Sequence, residues 1–321
     1  MTLDIRDLRL DYALPGGLSV RALDGVDLRI DDDEIVGLVG ESGCGKSTLA
    51  YSILRVLPEN ADIVEGRILY RNRDLIGLSE GRMRNIRWSK ISMVFQSSMN
   101  AFSPVHRIVD QLAAVHMAHT GSDKRAALKV AEKALTRMGI PASRTWSYPH
   151  EFSGGMRQRA AIALALLLDP EILIADEPTT ALDVVIQDRI LQIIQDWQRE
   201  SGRSVIFVSH DMAVVAEICD RIAVMYAGLV VELADKVDLL KEPRHPYTQA
   251  LLDCVPNVKG RGSRLQSLSG SPPDLRQRHE GCLFRPRCAK AFADCATVKP
   301  DLFEVGDRHP ARCLLYRPEA S

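Results

Sequence analysis

The segment Phe152-Ser153-Gly154-Gly155-Met156-Arg157-Gln158-Arg159 is the most informative stretch of this 321-residue chain. An apolar run, Ile172-Leu173-Ile174-Ala175, follows it and ends in Asp176-Glu177. Ser153 and the two glycines come just before a run of helix-forming residues, so we expect them at a helix N-terminus. There, bare N–H groups and the positive end of the helix dipole favour an anion such as phosphate.

A second phosphate-binding pattern lies upstream, where Gly40-Glu41-Ser42-Gly43-Cys44-Gly45-Lys46-Ser47 fits Gly-x4-Gly-Lys-Ser. A buried strand is predicted before it and a helix from about Ser47 to Leu57 after it, which is the context that the pattern requires. Backbone N–H groups then surround the phosphates, the lysine adds a charge and the serine hydroxyl faces Mg²⁺. The predicted nucleotide contacts are Gly40, Ser42, Gly43, Gly45, Lys46, Ser47 and Thr48.

The Ser-Gly-Gly-x-x-Gln segment, the phosphate loop and the strand ending in Asp-Glu together resemble the ATPase subunit of ABC (ATP-binding cassette) transporters. The resemblance implies an α/β cassette with a parallel-sheet core, an N-terminal antiparallel β region and a helical subdomain. It also implies that ATP is hydrolysed between two subunits. The residues of one subunit that would complete the site of the other are Ser153, Gly154, Gly155 and Gln158.

The same resemblance assigns roles to single residues. Asp176 is expected to hold Mg²⁺ together with Ser47 and Gln96, and Glu177 is expected to act as the catalytic base. Gln96 would sense Mg²⁺ and the γ-phosphate, and His210, in Val208-Ser209-His210-Asp211, would contact the γ-phosphate. Tyr12 either stacks on adenine or packs as a hairpin residue.

The order of patterns along the chain favours an α/β fold. The opening alternates apolar and charged residues around a Pro15-Gly16-Gly17 turn, and we interpret it as an edge hairpin. Residues 107–138 have helical spacing, and from about residue 160 helices and strands alternate, which is typical of a parallel sheet covered by helices. Segment 96–107 resembles the surface that contacts membrane subunits, although a plain surface loop has the same composition.

The bulk composition excludes several classes of protein. Hydrophobic residues make up 46% of the chain and charged residues 26%, as in ordinary globular proteins, and the net charge is −1. Near-zero charge gives no electrostatic reason to expect nucleic acid as a partner. No signal peptide is recognisable at the N-terminus, so we expect the chain in the cytoplasm, where its seven cysteines would be thiols or metal ligands.

Composition changes after about Lys241, and we divide the chain into an ATPase domain, residues 1–240, and a C-terminal domain with four clustered cysteines, residues 241–321. Within it, His245-Pro246-Tyr247-Thr248-Gln249-Ala250-Leu251-Leu252 resembles an element of oligopeptide and dipeptide importer ATPases. The cysteines are Cys282, Cys288, Cys295 and Cys313. Family members that resemble this tail carry a [4Fe–4S] cluster on four such cysteines; the alternatives are zinc and unligated thiols.

These patterns predict an ATP-hydrolysing subunit that uses ATP and Mg²⁺ to power the import of oligopeptides or dipeptides. The expected partners are a second, homologous ATPase subunit, two transmembrane permeases and, indirectly, an extracytoplasmic solute-binding protein, at the cytoplasmic face of the inner (plasma) membrane. A glycoside or nickel importer of the same type is an alternative. A soluble ABC ATPase acting on nucleic acid or ribosomes is another.

Overall fold

The computed structural model describes residues 2–96, 101–180, 182–254, 268–277 and 279–318. Four residues of the segment expected to contact membrane subunits, 97–100, therefore lie outside the described residues. The helices and strands, in chain order, are β1 (Leu3–Ala13), β2 (Ser19–Ile30), β3 (Ile35–Val39), α1 (Lys46–Leu54), β4 (Ala61–Tyr70), β5 (Arg73–Asp74), α2 (Glu80–Arg84), β6 (Ile91–Val94), α3 (Ile108–Thr120), α4 (Lys124–Arg137), α5 (Gly154–Ala165), β7 (Ile172–Asp176), α6 (Val184–Ser201), β8 (Ser204–Ser209), α7 (Met212–Ile218), β9 (Arg221–Tyr226), β10 (Leu229–Asp235), α8 (Lys236–Lys241), α9 (Pro246–Asp253), β11 (Phe303–Glu304) and β12 (Pro310–Ala311).

The chain divides into two compact units. The first unit comprises Met1–Asp31, Ile35–Ile76 and Val208–Ser321, and the second comprises Asp32–Glu34 and Gly77–Phe207. No helix in the described ranges combines the length and the apolar character that crossing a membrane requires.

The first unit contains an antiparallel sheet in the order β2-β1-β4-β5. Its buried positions Leu3, Ile5, Leu8 and Leu10 skip one residue between Ile5 and Leu8, where the β1–β2 register shifts. The pairing of β1 with β2 confirms the predicted hairpin. The hairpin lies at one edge of the sheet, with β2 outermost. On the inner side, β1 pairs with β4, a strand that the sequence pattern did not predict.

The remaining strands of the first unit follow the order β11-β12-β10-β9-β3. β3 and β9 are parallel, and β9 and β10 form an antiparallel hairpin. Every residue of β3 and β9 is buried. Continuous apolar strands of this kind are typical of a sheet that is covered on both faces.

The second unit holds the helical segment and the strand that ends in Asp176. β6 and β7 are parallel, in the strand order β8-β7-β6. The helices α3 and α4 lie within residues 107–138, as predicted. The carboxylate of Asp123 accepts the N–H of Ala126 at 2.9 Å and caps the N-terminus of α4.

The C-terminal segment is fastened to β10 of the first unit through Glu232, which is fully buried. Its carboxylate accepts the backbone N–H of Arg244 at 2.6 Å and that of His245 at 2.9 Å. The Nε2 atom of His309 donates to it at 2.7 Å. Burial acts to raise the pKa of Glu232, but these hydrogen bonds outweigh burial and lower it. Glu232 is thus held as a carboxylate that joins two distant parts of the tail.

Candidate functional site

The phosphate loop, residues 40–47, has the backbone shape that its glycines permit. Gly45 has φ +107° and a Cβ there would lie 2.8 Å from the carbonyl oxygen of Ala22. A Cβ on Gly40 would lie 2.2 Å from the carbonyl oxygen of Met225. Both positions therefore exclude a side chain by contact with neighbouring backbone. The loop leads from the buried strand β3 into α1, so its N–H groups lie at a helix N-terminus.

Lys46 is buried, and its Nζ donates to the carbonyl oxygens of Gly40 at 2.7 Å and Glu41 at 3.0 Å. Ser47 and Thr48 follow in the first turn of α1, whereas Ser42 and Gly43 are exposed on the loop. The hydroxyl of Tyr12 lies 3.2 Å from Thr48 Oγ1. The structure thus places Tyr12, whose assignment was open, beside the phosphate loop.

Glu177 follows the buried strand β7 and has φ +47°, a left-handed conformation that is uncommon for a residue with a side chain. Its Oε2 accepts hydrogen bonds from Gln96 Nε2 at 3.0 Å and from Thr180 Oγ1 at 2.9 Å. The structure therefore brings the predicted base and the predicted sensing glutamine together. Asp176, one residue earlier, has no exposed surface.

The Ser-Gly-Gly segment begins α5, as predicted. Ser153 is the N-cap residue, and its Oγ accepts the N–H of Met156 at 3.3 Å. A Cβ on Gly155 would lie 2.9 Å from Ile186 Cγ2. Gln158 is buried and donates from Nε2 to the carbonyl oxygen of Pro178 at 2.7 Å. In this structure its amide therefore positions the loop after Glu177.

His210 is exposed and directly follows β8. Ser209 and Asp211 hold the backbone on either side of it. Ser209 Oγ accepts the N–H of Asp211 at 3.0 Å, and Asp211 Oδ1 accepts the N–H of Ala213 at 2.8 Å as the N-cap of α7. His210 thus lies at a strand end in a short turn with a defined backbone.

The tail cysteines Cys282, Cys288, Cys295 and Cys313 all line one small cavity, together with His245 and Phe284. Burial raises the pKa of the Cys313 thiol to about 11 and also raises the pKa of Cys282 and Cys288. Thiols with raised pKa values must release protons when they bind a metal. Among the residues that the structure describes, no three His, Cys, Asp or Glu side chains are arranged to hold a single metal ion.

One contact of the phosphate loop was not anticipated from the sequence. Both carboxylate oxygens of Glu41 accept hydrogen bonds from Arg287, which is 246 residues away in the chain. The backbone N–H of Glu41 donates to the hydroxyl of Tyr247 at 3.0 Å. No spacing rule relates residues so far apart, and only the His-Pro-Tyr motif marked Tyr247 in advance.

Family models match two parts of the chain. Residues 23–180 match a family described as ABC transporter. Residues 231–295 match one described as the C-terminal region of oligopeptide/dipeptide transporters.

Relatives of the chain match it over nearly its whole length. It is 47% identical to a probable peptide ABC transporter ATP-binding protein, y4tR, of Sinorhizobium fredii, with 98% of this chain and 94% of the relative covered. It is 44% identical to the dipeptide transport ATP-binding protein DppD of Bacillus subtilis, with the same coverage. The oligopeptide transport ATP-binding protein OppD of Bacillus subtilis is 41% identical, with 99% of this chain and 90% of that protein covered.

A solved structure shares the cassette fold. The chain resembles a dimer of the ATP-binding cassette MJ0796 bound to ADP and phosphate, with a TM-score of 0.66 and 28% sequence identity. The match covers 73% of this chain and 98% of the MJ0796 chain.

Proposed function

Since this chain belongs to the ATP-binding proteins of the ABC transporter family, we propose that it powers the import of oligopeptides or dipeptides. The observation that carries the proposal is the combination of the cassette with the C-terminal region of oligopeptide/dipeptide transporters in one chain. Relatives between 41% and 47% identical across almost the whole chain are named as peptide, dipeptide or oligopeptide transport proteins. The chain is an ATPase of this family.

The phosphate loop binds the phosphates of ATP in this proposal. Lys46 Nζ, which donates to two loop carbonyls, exchanges these bonds for phosphate oxygens and supplies a positive charge where negative charge accumulates. Ser47 and Asp176 have the oxygen ligands that Mg²⁺ prefers, and with Gln96 they would hold the ion that neutralises phosphate charge. Tyr12 would stack on the adenine.

Glu177 acts as the general base on the attacking water, and His210 contacts the γ-phosphate. The hydrogen bonds from Gln96 and Thr180 orient the carboxylate of Glu177. Phosphoryl transfer depends on positioning and charge stabilisation more than on covalent chemistry, so this orientation is the contribution expected of the protein.

Two cassettes close around ATP in our proposal, each donating Ser153, Gly154 and Gly155 to the nucleotide of the other. The N-cap at Ser153 leaves the N–H groups of the first turn of α5 available to a phosphate. Besides its expected contact with the nucleotide, Gln158 holds the loop after Glu177 through its hydrogen bond to Pro178. A solved relative of this fold is a dimer with bound ADP and phosphate.

The remaining partners follow from the family. We infer a second, homologous ATPase subunit, two transmembrane permeases and a solute-binding protein outside the membrane, with this chain bound at the inner face of that membrane. The segment 96–107 is the proposed contact with the permeases. The division into domains at residues 240 and 241 remains our prediction.

A [4Fe–4S] cluster on Cys282, Cys288, Cys295 and Cys313 is also part of the proposal. It rests on the resemblance of the tail and on the single cavity that the four thiols share. Thiolates are the usual ligands of such clusters, and the bound group would order a segment with few regular elements.

The substitution Glu177→Gln tests the function, with the exposed Glu59→Gln as the matched control. We expect Glu177→Gln to reduce ATP hydrolysis by about 100-fold or more, because a positioned general base contributes at least that much. ATP binding should persist, and the variant should form a stable dimer with MgATP in size-exclusion chromatography.

The import step is measured as uptake of radiolabelled Ala-Ala and Ala-Ala-Ala in cells that lack the chain. The wild type and Glu59→Gln should restore uptake, whereas Glu177→Gln should not. If Glu177→Gln abolishes hydrolysis but leaves peptide uptake unchanged, the assignment as an ATPase stands and the assignment of peptides as cargo is refuted.

A further inference from the structure

The side chain of Glu41, a variable position of the phosphate loop, is held by the tail of the first unit. Arg287 Nη1 donates to Glu41 Oε2 at 2.6 Å, and Arg287 Nη2 donates to Glu41 Oε1 at 2.9 Å. Two parallel N–H···O bonds of this kind fix both orientation and distance. Glu41 is therefore held in one orientation by a residue that is far away in the chain.

The side chain of Arg287 is nearly enclosed by its neighbours. Its side chain is only 3% exposed. Its Nε donates to the carbonyl oxygen of Ser269 at 3.0 Å, and it lies over the ring of Tyr226 with 5.7 Å to the centroid. A buried charge that loses its partner is strongly destabilised, so Arg287 keeps this position only while Glu41 stays in place.

Tyr247 makes a second attachment to the same loop residue. Its hydroxyl accepts the backbone N–H of Glu41 at 3.0 Å, and its side chain has no exposed surface. Its ring packs against Tyr226 at 4.6 Å and Phe284 at 5.4 Å between centroids. The tail thus holds the side chain of Glu41 through Arg287 and its backbone N–H through Tyr247.

The path continues from Glu41 to the phosphate-binding lysine. The carbonyl oxygens of Gly40 and Glu41 accept the two hydrogen bonds from Lys46 Nζ. A displacement of Glu41 would move these carbonyls, and with them the ammonium that must reach the phosphates. Glu41 and Lys46 thus connect Arg287 to the position where the phosphates are expected.

Arg287 also belongs to the segment that carries the cysteines. It ends a single 3₁₀ turn, Arg285–Arg287, between Cys282 and Cys288. The N–H of Cys288 donates to the carbonyl of Arg285 at 3.2 Å, and the N–H of Cys282 donates to the carbonyl of Cys295 at 3.0 Å. The same short loop therefore contacts the cysteine cavity on one side and the phosphate loop on the other.

We propose that Arg287 is a positioning residue of the nucleotide site, which couples the order of the segment Cys282–Cys288 to ATP binding through Glu41 and Lys46. The proposal rests on ATP binding at the phosphate loop, as stated above, and goes beyond it by assigning a tail residue to that site. Coupling of this kind is reciprocal. An ordered cysteine segment raises the affinity for ATP, and bound ATP makes the cysteine segment more rigid.

Equilibrium binding of the fluorescent analogue mant-ATP to the full chain tests the first half of the coupling. Arg287→Ala and Glu41→Ala should each raise its Kd by about 5- to 50-fold, the range of ordinary coupling energies. The Kd of the double variant should not exceed the higher of the two single-variant Kd values, because each substitution removes the same contact. Arg285→Ala, an exposed arginine two residues away, is the matched control and should bind as the wild type does.

Steady-state hydrolysis separates positioning from a general loss of structure. Arg287→Ala should raise KM, while kcat at saturating ATP stays within about twofold, because the loop is repositioned by binding rather than destroyed. Arg287→Lys should recover only part of the affinity, since an ammonium cannot make the paired bonds. Wild-type affinity in Arg287→Ala, or effects that multiply in the double variant, would overturn the proposal.

Hydrogen–deuterium exchange of the wild-type chain tests the second half without any substitution. A saturating non-hydrolysable ATP analogue should slow exchange in segment 282–288, with helix α4 as an internal control that does not respond. The slowing should vanish in Arg287→Ala. If the wild type binds the analogue and segment 282–288 exchanges unchanged, the coupling is refuted while ATP binding stands. If the analogue does not bind, the proposed function itself fails.

Discussion

Single residues in this chain are constrained by packing as much as by chemistry. Gly37, in the middle of β3, has no unusual φ, yet a Cβ there would lie 2.4 Å from Val215 Cγ1 and 2.8 Å from Cys219 Sγ. The helix α7 thus packs directly on the backbone of the strand that leads into the phosphate loop. Gly155 is similar, because Ile186 fills the space where its side chain would be.

The substitution Gly37→Ala should lower the free energy of unfolding by about 3 kcal/mol, because overpacking a buried site forces neighbouring atoms apart. The matched control is Gly81→Ala in α2, where a Cβ would have nothing within 4 Å. That change should stabilise the helix by about 0.5–1 kcal/mol, since alanine loses less backbone entropy than glycine. Urea unfolding followed by circular dichroism measures both. Equal stability of the two variants would contradict the packing argument.

Helix N-termini illustrate how local sequence specifies an element. Among the described helices, the side chains of five N-cap residues accept a backbone N–H from the first turn of the helix that follows: Asp123, Ser153, Asp183, Asp211 and His245. These side chains satisfy N–H groups that have no partner within the helix. At α5 the N-cap Ser153 is followed by two glycines, and a phosphate is expected to bind next to them.

Replacing Asp123 by alanine should destabilise α4 by about 1 kcal/mol, because the N–H of Ala126 loses its acceptor and the helix dipole loses a compensating charge. Asp123→Asn retains an acceptor oxygen, so it should lose only a small part of the stabilisation that the cap provides. The shift in the urea midpoint measures the effect. Identical midpoints for Asp123→Ala and Asp123→Asn would show that the cap does not stabilise the helix.

At the scale of the whole molecule, the tail is built into the first unit rather than attached at one point. Glu232 holds it through Arg244, His245 and His309, and Arg287 and Tyr247 hold it to the phosphate loop. These two groups are connected, because the N–H of Tyr247 donates to His245 Nδ1 at 3.0 Å. Changes in the tail are for this reason expected to reach the nucleotide site.

Metal content tests the proposed cluster in the intact chain. Protein purified without oxygen should be brown, absorb near 400 nm and contain about four irons per chain, as a [4Fe–4S] cluster requires. Cys288→Ser should lose the iron, whereas Cys254→Ser, which changes a cysteine outside the cavity, should keep it. Colourless protein with one zinc would replace the cluster by a zinc site, and metal-free wild-type protein would leave four packed thiols.

Features that depend on neighbouring residues could be predicted from the sequence. The phosphate loop, the N-cap at Ser153 and the strand ending in Asp176 and Glu177 are each encoded within about ten residues, since turn and cap geometry follow from local backbone preferences. These motifs were enough to identify the cassette and to predict its nucleotide contacts. The helical segment 107–138 was likewise predicted from its periodicity.

The contacts between distant segments could be seen only in the folded chain. The place of β1 inside its sheet, the hydrogen bond between Gln96 and Glu177, and the pairing of Arg287 with Glu41 all join residues that no local pattern relates. Such contacts form only when folding brings the two partners together, because the residues between them do not fix their distance. The cysteines could therefore be counted from the sequence, but their connection to the phosphate loop through Arg287 could not be predicted.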